Sequence, residues 1–524
     1  MDTGSDGATS AELPSRLIAA AVRSRLGLPG TEPVREHATH ISRVFVAGDR
    51  AFKLKRPLVL AFLDYGTAQR RWAMCQEEVR LNRRLAPDVY LAVRALVADG
   101  PGLRIAEAGA GTAIDYLVEM RRYDETATLA ARLSQGGLDA GDLTALCRCL
   151  AAFHGQAPPT VEADGVSAVR REIGENLAEL APLLCDGEEQ ARMDALTRFF
   201  SVFASRHRAL LRTRGQQGHR REGHGDLRAE HVLLGPPVQI VDCVEFDPGL
   251  RTIDTADDLA FLVMDLCARE AETLARSLMT GYREAGGDHG PEELVWFYAA
   301  HRALVRAKVA RLNERHGDAE AASRLLATAA RCAWRARGPI RLVICGPAAS
   351  GKSRLAQAVA ERFGVTVLDS DVVRKELAGL SPTERGADAL YGAAMTERTY
   401  ARLAERAEAE LSAGRSVIVA ATCRRRPERR PLVGGPWSAR TWWVRCQAPL
   451  SMRRRWARDR EDDPERASDA TESVVAEQGD SFDALDEVTA SHRVTMATDR
   501  STHLVLAELM AWLDSRPDAS ARCA

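Results

Sequence analysis

Lysine is almost missing from this 524-residue chain: of its 72 basic residues, only Lys53, Lys55, Lys308, Lys352 and Lys375 are lysines. A chain that uses arginine almost wherever a cation will serve marks each lysine as a place where a compact, flexible ammonium is wanted instead of a planar fork. Long hydrophobic runs are missing too. No stretch approaches the ~18 uncharged apolar residues of a membrane span, so no membrane partner is expected. The eleven cysteines include no C-x-x-C pair, which excludes the usual zinc and disulfide frameworks and leaves free thiols in a reducing cytoplasm as the expectation. Net charge is close to absent, at −1, and this argues against bulk attraction to nucleic acid or an anionic surface. The opening MDTGSDGATSAELPS has neither a basic stretch nor an apolar core. No secretion signal is expected there, and residues 1–14 read as a flexible tail.

What is present fits a multidomain globular protein. The length exceeds what one core usually organises, and no internal repeat is visible. A helical run, VWFYAAHRALVRAKVARLNERHGDAEAASRLLATAARCAWRAR, ends at Arg337-Gly338-Pro339, and a strand-like IRLVICG follows. The change of period at a Gly-Pro break predicts a domain boundary there. Nothing in the sequence indicates the oligomeric state.

Behind that strand stands GPAASGKS: Gly346, Pro347, Ala348, Ala349, Ser350, Gly351, Lys352 and Ser353, with the amphipathic RLAQAVAERFG after it. Strand, glycine loop and helix in this order let backbone N–H groups close on phosphate oxygens at a helix N-terminus. Lys352 then reaches the β- and γ-phosphates of ATP, and the Ser353 hydroxyl ligates Mg2+. Downstream, VTVLDSDVVRKEL ends a second apolar strand in Asp369-Ser370-Asp371. Carboxylates at such a strand end suit a metal ligand (Asp369) and a base for a substrate hydroxyl (Asp371); the plainer reading of Asp371 is a helix N-cap. Arg454 and Arg458 lie four apart in PLSMRRRWARDRED, either a solvated face or a lid that closes on ATP.

This half resembles the small P-loop kinases of the gluconate kinase, shikimate kinase, chloramphenicol phosphotransferase and zeta-toxin type, through GPAASGKS, the D-S-D-x-x-R stretch and the R-x-x-x-R pair. The resemblance assigns Arg374 to the substrate. One departure is Ala420 in RSVIVAATCRRR, where an acidic residue is expected. Magnesium positioning then falls on Ser353, Asp369 and Asp371.

The stretch GHGDLRAEHVLL, followed after a turn by VQIVDCVEFD, gives the order catalytic loop, strand, turn, strand, metal-binding aspartate. Phosphoryl transfer needs a carboxylate to orient a hydroxyl, here Asp226, and another to hold magnesium, here Asp242. It resembles the aminoglycoside phosphotransferase and choline kinase branch of the protein-kinase-like fold, whose loop reads H-G-D-x-x-x-x-N. His231 stands in the Asn position, which makes the second metal ligand an imidazole although Mg2+ prefers oxygen; Glu245 is a possible alternative oxygen donor. The resemblance also implies a strand lysine paired with a helix glutamate. SRVFVAGDRAFKLKRPL reads as a hairpin turning at Gly48-Asp49, with Lys53 and Lys55 on one face. Lys53, flanked by Phe52 and Leu54, is preferred for ATP, and Lys55 is the alternative. Glu78 in EEVRLNRRL is the preferred partner, with Glu77 next. DYLVEMRRYD suits the hinge between lobes, where Val118 to Met120 would meet an adenine, unless Met120 is simply core. Asp257 and Asp258 are read as scaffold, and His154 and His301 are given no role.

Taken together, FKLKRPL, FLDYGTAQRR, LNRRLAPDVYL and GHGDLRAEHVLL…VDCVEFD resemble the bifunctional aminoglycoside phosphotransferase/ATP-binding protein family. This implies an α/β and α+β two-domain chain. A protein-kinase-like bilobal domain would span 15–337 (lobes about 30–120 and 121–337), and a P-loop nucleoside-triphosphate hydrolase domain with a parallel sheet would span 338–518. The implied activity is ATP- and Mg2+-dependent phosphorylation of a small hydroxylated molecule, by analogy a sugar or amino sugar. A regulatory ATP-binding protein impaired at His231 and Ala420 is the alternative. A nucleic-acid-linked ATPase using the arginine runs is a weaker third reading.

Overall fold

The structure, a computed structural model, describes residues 12–60, 63–161, 165–312, 319–384, 388–459, 471–478 and 481–516. The expected tail lies outside these residues except for its last three. The chain forms two compact units, Met1–Gly165 with Arg212–Gly290, and Val166–Leu211 with Pro291–Ala524. Among the described residues no helix is long and apolar enough to cross a membrane.

In the first unit six strands make one antiparallel sheet: β1 (Arg35–Ala38), β2 (Ser42–Ala47), β3 (Arg50–Lys55), β4 (Tyr90–Asp99), β5 (Gly102–Glu107) and β6 (Ala113–Arg121), in the order β1-β2-β3-β6-β4-β5. The turn at Gly48-Asp49 sets Ala47 opposite Arg50. Gly48 has φ 54°, a left-handed conformation that costs glycine no Cβ clash. Strand alternation sends Phe52 and Leu54 to one face of β3, where they are buried with Phe45, Leu117 and Ile18 of helix α1 (Ser15–Leu26). Lys53 and Lys55 therefore share the other face. Helix α2 (Ala68–Asn82) lies on that side, capped by Thr67 and burying Cys75, Glu78, Val79 and Asn82. These positions follow i, i+3, i+4 and i+7, so Glu78 is carried inward on the apolar stripe.

Further along the same unit, β7 (Val232–Leu233) and β8 (Gln239–Ile240) form a short antiparallel pair that separates the GHGD loop from Asp242. Helix α3 (Thr255–Ala268), capped by Asp254, buries Asp257 and Asp258 behind that loop.

The second unit holds a five-stranded sheet of β9 (Arg341–Cys345), β10 (Thr366–Asp369), β11 (Val417–Ala420), β12 (Thr441–Gln447) and β13 (Arg493–Ala497), ordered β10-β11-β9-β12-β13, with every neighbouring pair parallel. Strands covered on both faces read as continuous apolar runs, as LVIC and VIVA do. Helix α4 (Lys352–Phe363) follows β9 and α5 (Ser370–Leu377) follows β10. The break at Gly338 does open β9, but packing does not divide there. Trp334, in the helix Ala319–Arg335, stacks on Phe363 with centroids 4.8 Å apart, and Arg337 pairs with Asp514 at 2.5 Å. The helices before Gly338 are tied by these contacts to the sheet that follows it.

Candidate active sites

In the first unit a chain of alternating charges lines the open face of β3. Lys53 Nζ lies 2.9 Å from Asp242 Oδ1 and 2.8 Å from Glu78 Oε1, while Lys55 Nζ donates to Glu78 Oε2 at 2.7 Å and to Glu245. Side-chain exposure separates the two lysines: 0% for Lys55 against 15% for Lys53, whose partner Asp242 is 48% exposed. Lys53 thus sits at the mouth of the array and Lys55 at its sealed end. Burial alone would lower the Lys53 pKa, but the carboxylates of Asp242, Glu78 and Glu245 outweigh it and raise it well above the ordinary value. The Lys53 ammonium in turn holds the Asp242 carboxyl far below the usual carboxylate range. Asp242 has φ 65°. A non-glycine residue held in left-handed conformation is the kind of local strain that concentrates at functional sites.

The GHGD loop is fixed from behind. Asp258 accepts from the backbone N–H of His224 at 2.7 Å and of Gly225 at 2.9 Å, the scaffold role expected of it. His154, expected to do nothing, bridges Asp258 and Tyr282 at 3.1 and 2.8 Å. At Gly225, φ is 83° and a Cβ would meet the Leu250 carbonyl oxygen at 2.9 Å, so only glycine fits. His224 is neutral by its contacts: Nε2 donates to the Val241 carbonyl at 2.9 Å and Nδ1 accepts from the Asp226 N–H at 3.3 Å. Burial lowers its pKa, which favours the same form.

Asp226 is half-buried, with Arg228 Nε 3.0 Å from its Oδ2. His231 Nδ1 donates to the Asp226 carbonyl at 2.9 Å, and its Nε2 accepts from Arg228 Nη2 at 3.0 Å. Asp242 Oδ2 lies 3.7 Å from that nitrogen. The oxygens of Asp242 suit Mg2+; the His231 lone pair, engaged by Arg228, does not. Glu245 is no alternative ligand either, because it is buried against Lys55 and accepts from the Tyr65 hydroxyl at 2.9 Å.

Met120 is a core residue here. It packs with Ala51, Val79 and Val118, and its strand is paired on both sides, to β3 and to β4. The chain leaves the sheet only after the Arg122 N–H bonds the Asp49 carbonyl at 2.8 Å, so a hinge contact would fall beyond the expected Val118–Met120.

In the second unit Gly346 to Gly351 link β9 to α4 as expected. Gly346, Ala349 and Gly351 have φ 142°, 56° and 85°, positive values of the kind that bend a phosphate-binding loop. Lys352 Nζ folds back onto the Pro347 carbonyl at 2.9 Å. Ser353 Oγ lies 3.5 Å from Asp369 Oδ2, an all-oxygen pair fit for Mg2+. The N-cap of α5 is Asp369, which accepts from the Asp371 N–H at 2.8 Å, and not Asp371. Ala420 is buried directly beside Asp369 in the sheet register.

Burial and the neighbouring Asp371 carboxylate push Asp369 up to about 6. The folded value lies above the unfolded one near 4, so this group favours the folded form at low pH and loses that contribution as pH rises through 6. Magnesium binding requires the ionised form and works the other way. Mg2+-ATP affinity of the second unit should rise up to tenfold per pH unit between about 5 and 6 and level off above. Calorimetric titration checks this, and Asp369→Asn should flatten the profile.

Arg374 is buried against the Leu390 carbonyl, Thr396 and the Tyr391 ring. Arg454 and Arg458 lie on helix α6 (Leu450–Arg458), paired at 3.7 and 2.9 Å with Glu472 of α7 (Glu472–Gln478). On a neighbouring face of α6, Ala457 packs with Val475 of α7 on Ala348 of the phosphate loop.

A model of the phosphotransferase enzyme family matches residues 73–294, and an AAA domain model matches residues 342–485. The uncharacterized protein Rv2004c of Mycobacterium tuberculosis is 36% identical over 404 residues, covering 74% of this chain and 78% of its own. The chain belongs to the bifunctional aminoglycoside phosphotransferase/ATP-binding protein family. Among solved structures, a choline/ethanolamine kinase family protein from Mesorhizobium loti shares 16% identity over 60% of this chain and 97% of its own, with TM-score 0.36. A sugar kinase from Janibacter sp. shares 21% over 34% and 98%, with TM-score 0.27. Two kinase-type domains in one chain support phosphotransferase chemistry and imply nucleotide use.

Three residues at the sites of this family member carry no motif signal. Arg228 occupies a position that the H-G-D-x-x-x-x-N pattern leaves unspecified. Thr498, at the end of β13, donates to the Ser350 carbonyl at 2.7 Å and pins the phosphate loop. Gln478 Oε1 accepts from the Ala348 N–H at 3.0 Å, a position where a phosphate oxygen would compete.

Proposed function

We propose that the chain is a cytoplasmic, ATP- and magnesium-dependent phosphotransferase that phosphorylates a hydroxyl of a small molecule, with a nucleotide site in each unit. The observation that carries this reading is the Lys53–Glu78–Asp242 array standing beside Asp226. It offers an ammonium for the α- and β-phosphates, a carboxylate for magnesium and a carboxylate for the acceptor hydroxyl, all in one cleft. Asp226 is the base, Asp242 the metal ligand, and Lys53 the nucleotide contact oriented by Glu78. In the second unit Lys352 serves the phosphates, Ser353 and Asp369 hold the metal, Asp371 is the base, and Arg374 contacts substrate once its segment moves. A sugar or amino sugar is the acceptor class suggested by the family.

The test is ATP consumption by the full chain, Asp226→Ala and Lys352→Ala, with and without a panel of sugars, amino sugars and nucleosides. Acceptor-dependent turnover lost in one variant assigns the active unit. Nucleotide binding without turnover under every condition favours the regulatory reading, which the contact of Gln478 with the phosphate-loop amide also supports for the second unit.

A further inference from the structure

The kinase-type reading of the first unit brings with it an expectation of two divalent cations, held by the loop aspartate and by the residue five after the catalytic aspartate. The side chains present fit one of them. Asp242 turns Oδ1 to Lys53, while Oδ2 lies 3.7 Å from His231 Nε2 on a side chain that is 48% exposed. The second set of donors is occupied. His231 spends Nδ1–H on the Asp226 carbonyl and its Nε2 lone pair on Arg228. The Arg228 guanidinium also reaches Asp226 Oδ2 at 3.0 Å and pairs with Glu230. A single positive group thus lies among Asp226, Glu230 and His231, the neighbourhood a second metal would otherwise neutralise.

We propose that the first site operates with one divalent cation, on Asp242, and that the Arg228 guanidinium is the resident cation standing in for the second. The His231 substitution is then a partner of Arg228 and not a defect in the loop. An imidazole that donates through Nδ1 presents Nε2 as an acceptor, which a guanidinium N–H satisfies, whereas an asparagine oxygen would invite a metal. Guanidinium stays charged at every working pH and presents several N–H donors in a planar fork, so it can hold Asp226 and His231 and still offer a hydrogen bond to a phosphate oxygen. Arg228 is only 15% exposed, and the acidic groups around it outweigh its burial and raise its pKa. A surface arginine would have neither feature.

The inference rests on the ATP-site reading of the first unit, and one experiment separates the two. The full chain carrying Lys352→Ala, which weakens the phosphate-loop site, is titrated with Mn2+ in the presence of a non-hydrolysable ATP analogue and followed by electron paramagnetic resonance. The expected result is one Mn2+ per bound nucleotide, with the spectrum of an isolated ion. Adding Arg228→Ala and His231→Asn together should bring in a second Mn2+ and the broadened spectrum of a coupled pair. Two Mn2+ per nucleotide before these changes overturns the inference and leaves the ATP site standing. A single Mn2+ after them shows that Arg228 was not what excluded the second ion, and also overturns it. Absence of any nucleotide in the first unit removes the ATP-site reading itself, and the inference with it.

Discussion

Replacing Lys55 by methionine should destabilise the first unit by about 3–5 kcal/mol, the cost of removing one partner from a buried ion pair, whereas Lys53→Met should cost less stability and more ATP affinity. The difference follows from position in one array. Lys55 is sealed between Glu78 and Glu245; without it Glu245 keeps only the Tyr65 hydroxyl named above, and a carboxylate already desolvated loses its counter-charge. Lys53 stands at the open end, where Asp242 can turn to water and Glu78 retains Lys55. The Lys55→Met deficit should shrink as pH falls, because Glu78, which against its burial the Lys53 and Lys55 ammonium groups hold below the ordinary carboxylate range, no longer needs Lys55 once protonated. Lys55→Met/Glu245→Met should recover most of the loss, since an apolar pair of similar volume carries no desolvation penalty. Urea denaturation of the four proteins between pH 4 and 8 measures all of this. Equal losses for Lys53→Met and Lys55→Met would refute the division of labour between them.

That division could not be read from the sequence, although its ingredients could. Strand alternation put Lys53 and Lys55 on one face, and the helical stripe turned Glu78 inward. What decides between the lysines is which carboxylate each meets from the segment around Asp242, nearly two hundred residues away, and short-range periodicity carries no such information. The phosphate loop was legible for the opposite reason: strand, loop and helix are contiguous, so motif and geometry coincide. The same contrast explains the helix cap. The sequence offered Asp371 as the cap of α5, but β10 ends two residues earlier, at Asp369, and that residue takes the capping place. Met120 was left between hinge and core, because a strand's apolar alternation says where its core lies but not where its last ladder bond falls. The Gly338 break was legible as a change of secondary structure, whereas the contacts of Trp334 and Arg337 with Phe363 and Asp514 leave no local sign in the sequence. Arg228 was invisible, since a motif written H-G-D-x-x-x-x-N treats its position as free.

Asp226→Asn should lower the turnover of the first site by about 10²- to 10⁴-fold, the range that a positioned general base supplies, and should leave nucleotide affinity nearly unchanged. The amide keeps an oxygen for Arg228 Nε and the shape of the loop, whose backbone is held by Asp258 and His231 and not by the Asp226 carboxylate. It loses the ability to take a proton from the acceptor hydroxyl. Lys53→Met is the complementary change. It should raise KM for ATP as well as lower kcat, because an ammonium on the α- and β-phosphates contributes to ground-state binding and to the transition state together. Steady-state kinetics on both variants, with calorimetry for the nucleotide, distinguishes the roles. If Asp226→Asn retained wild-type kcat, the base would lie elsewhere in the cleft. If it lost nucleotide binding in step with kcat, Asp226 would be holding the loop in shape, a structural part that its present contacts do not give it.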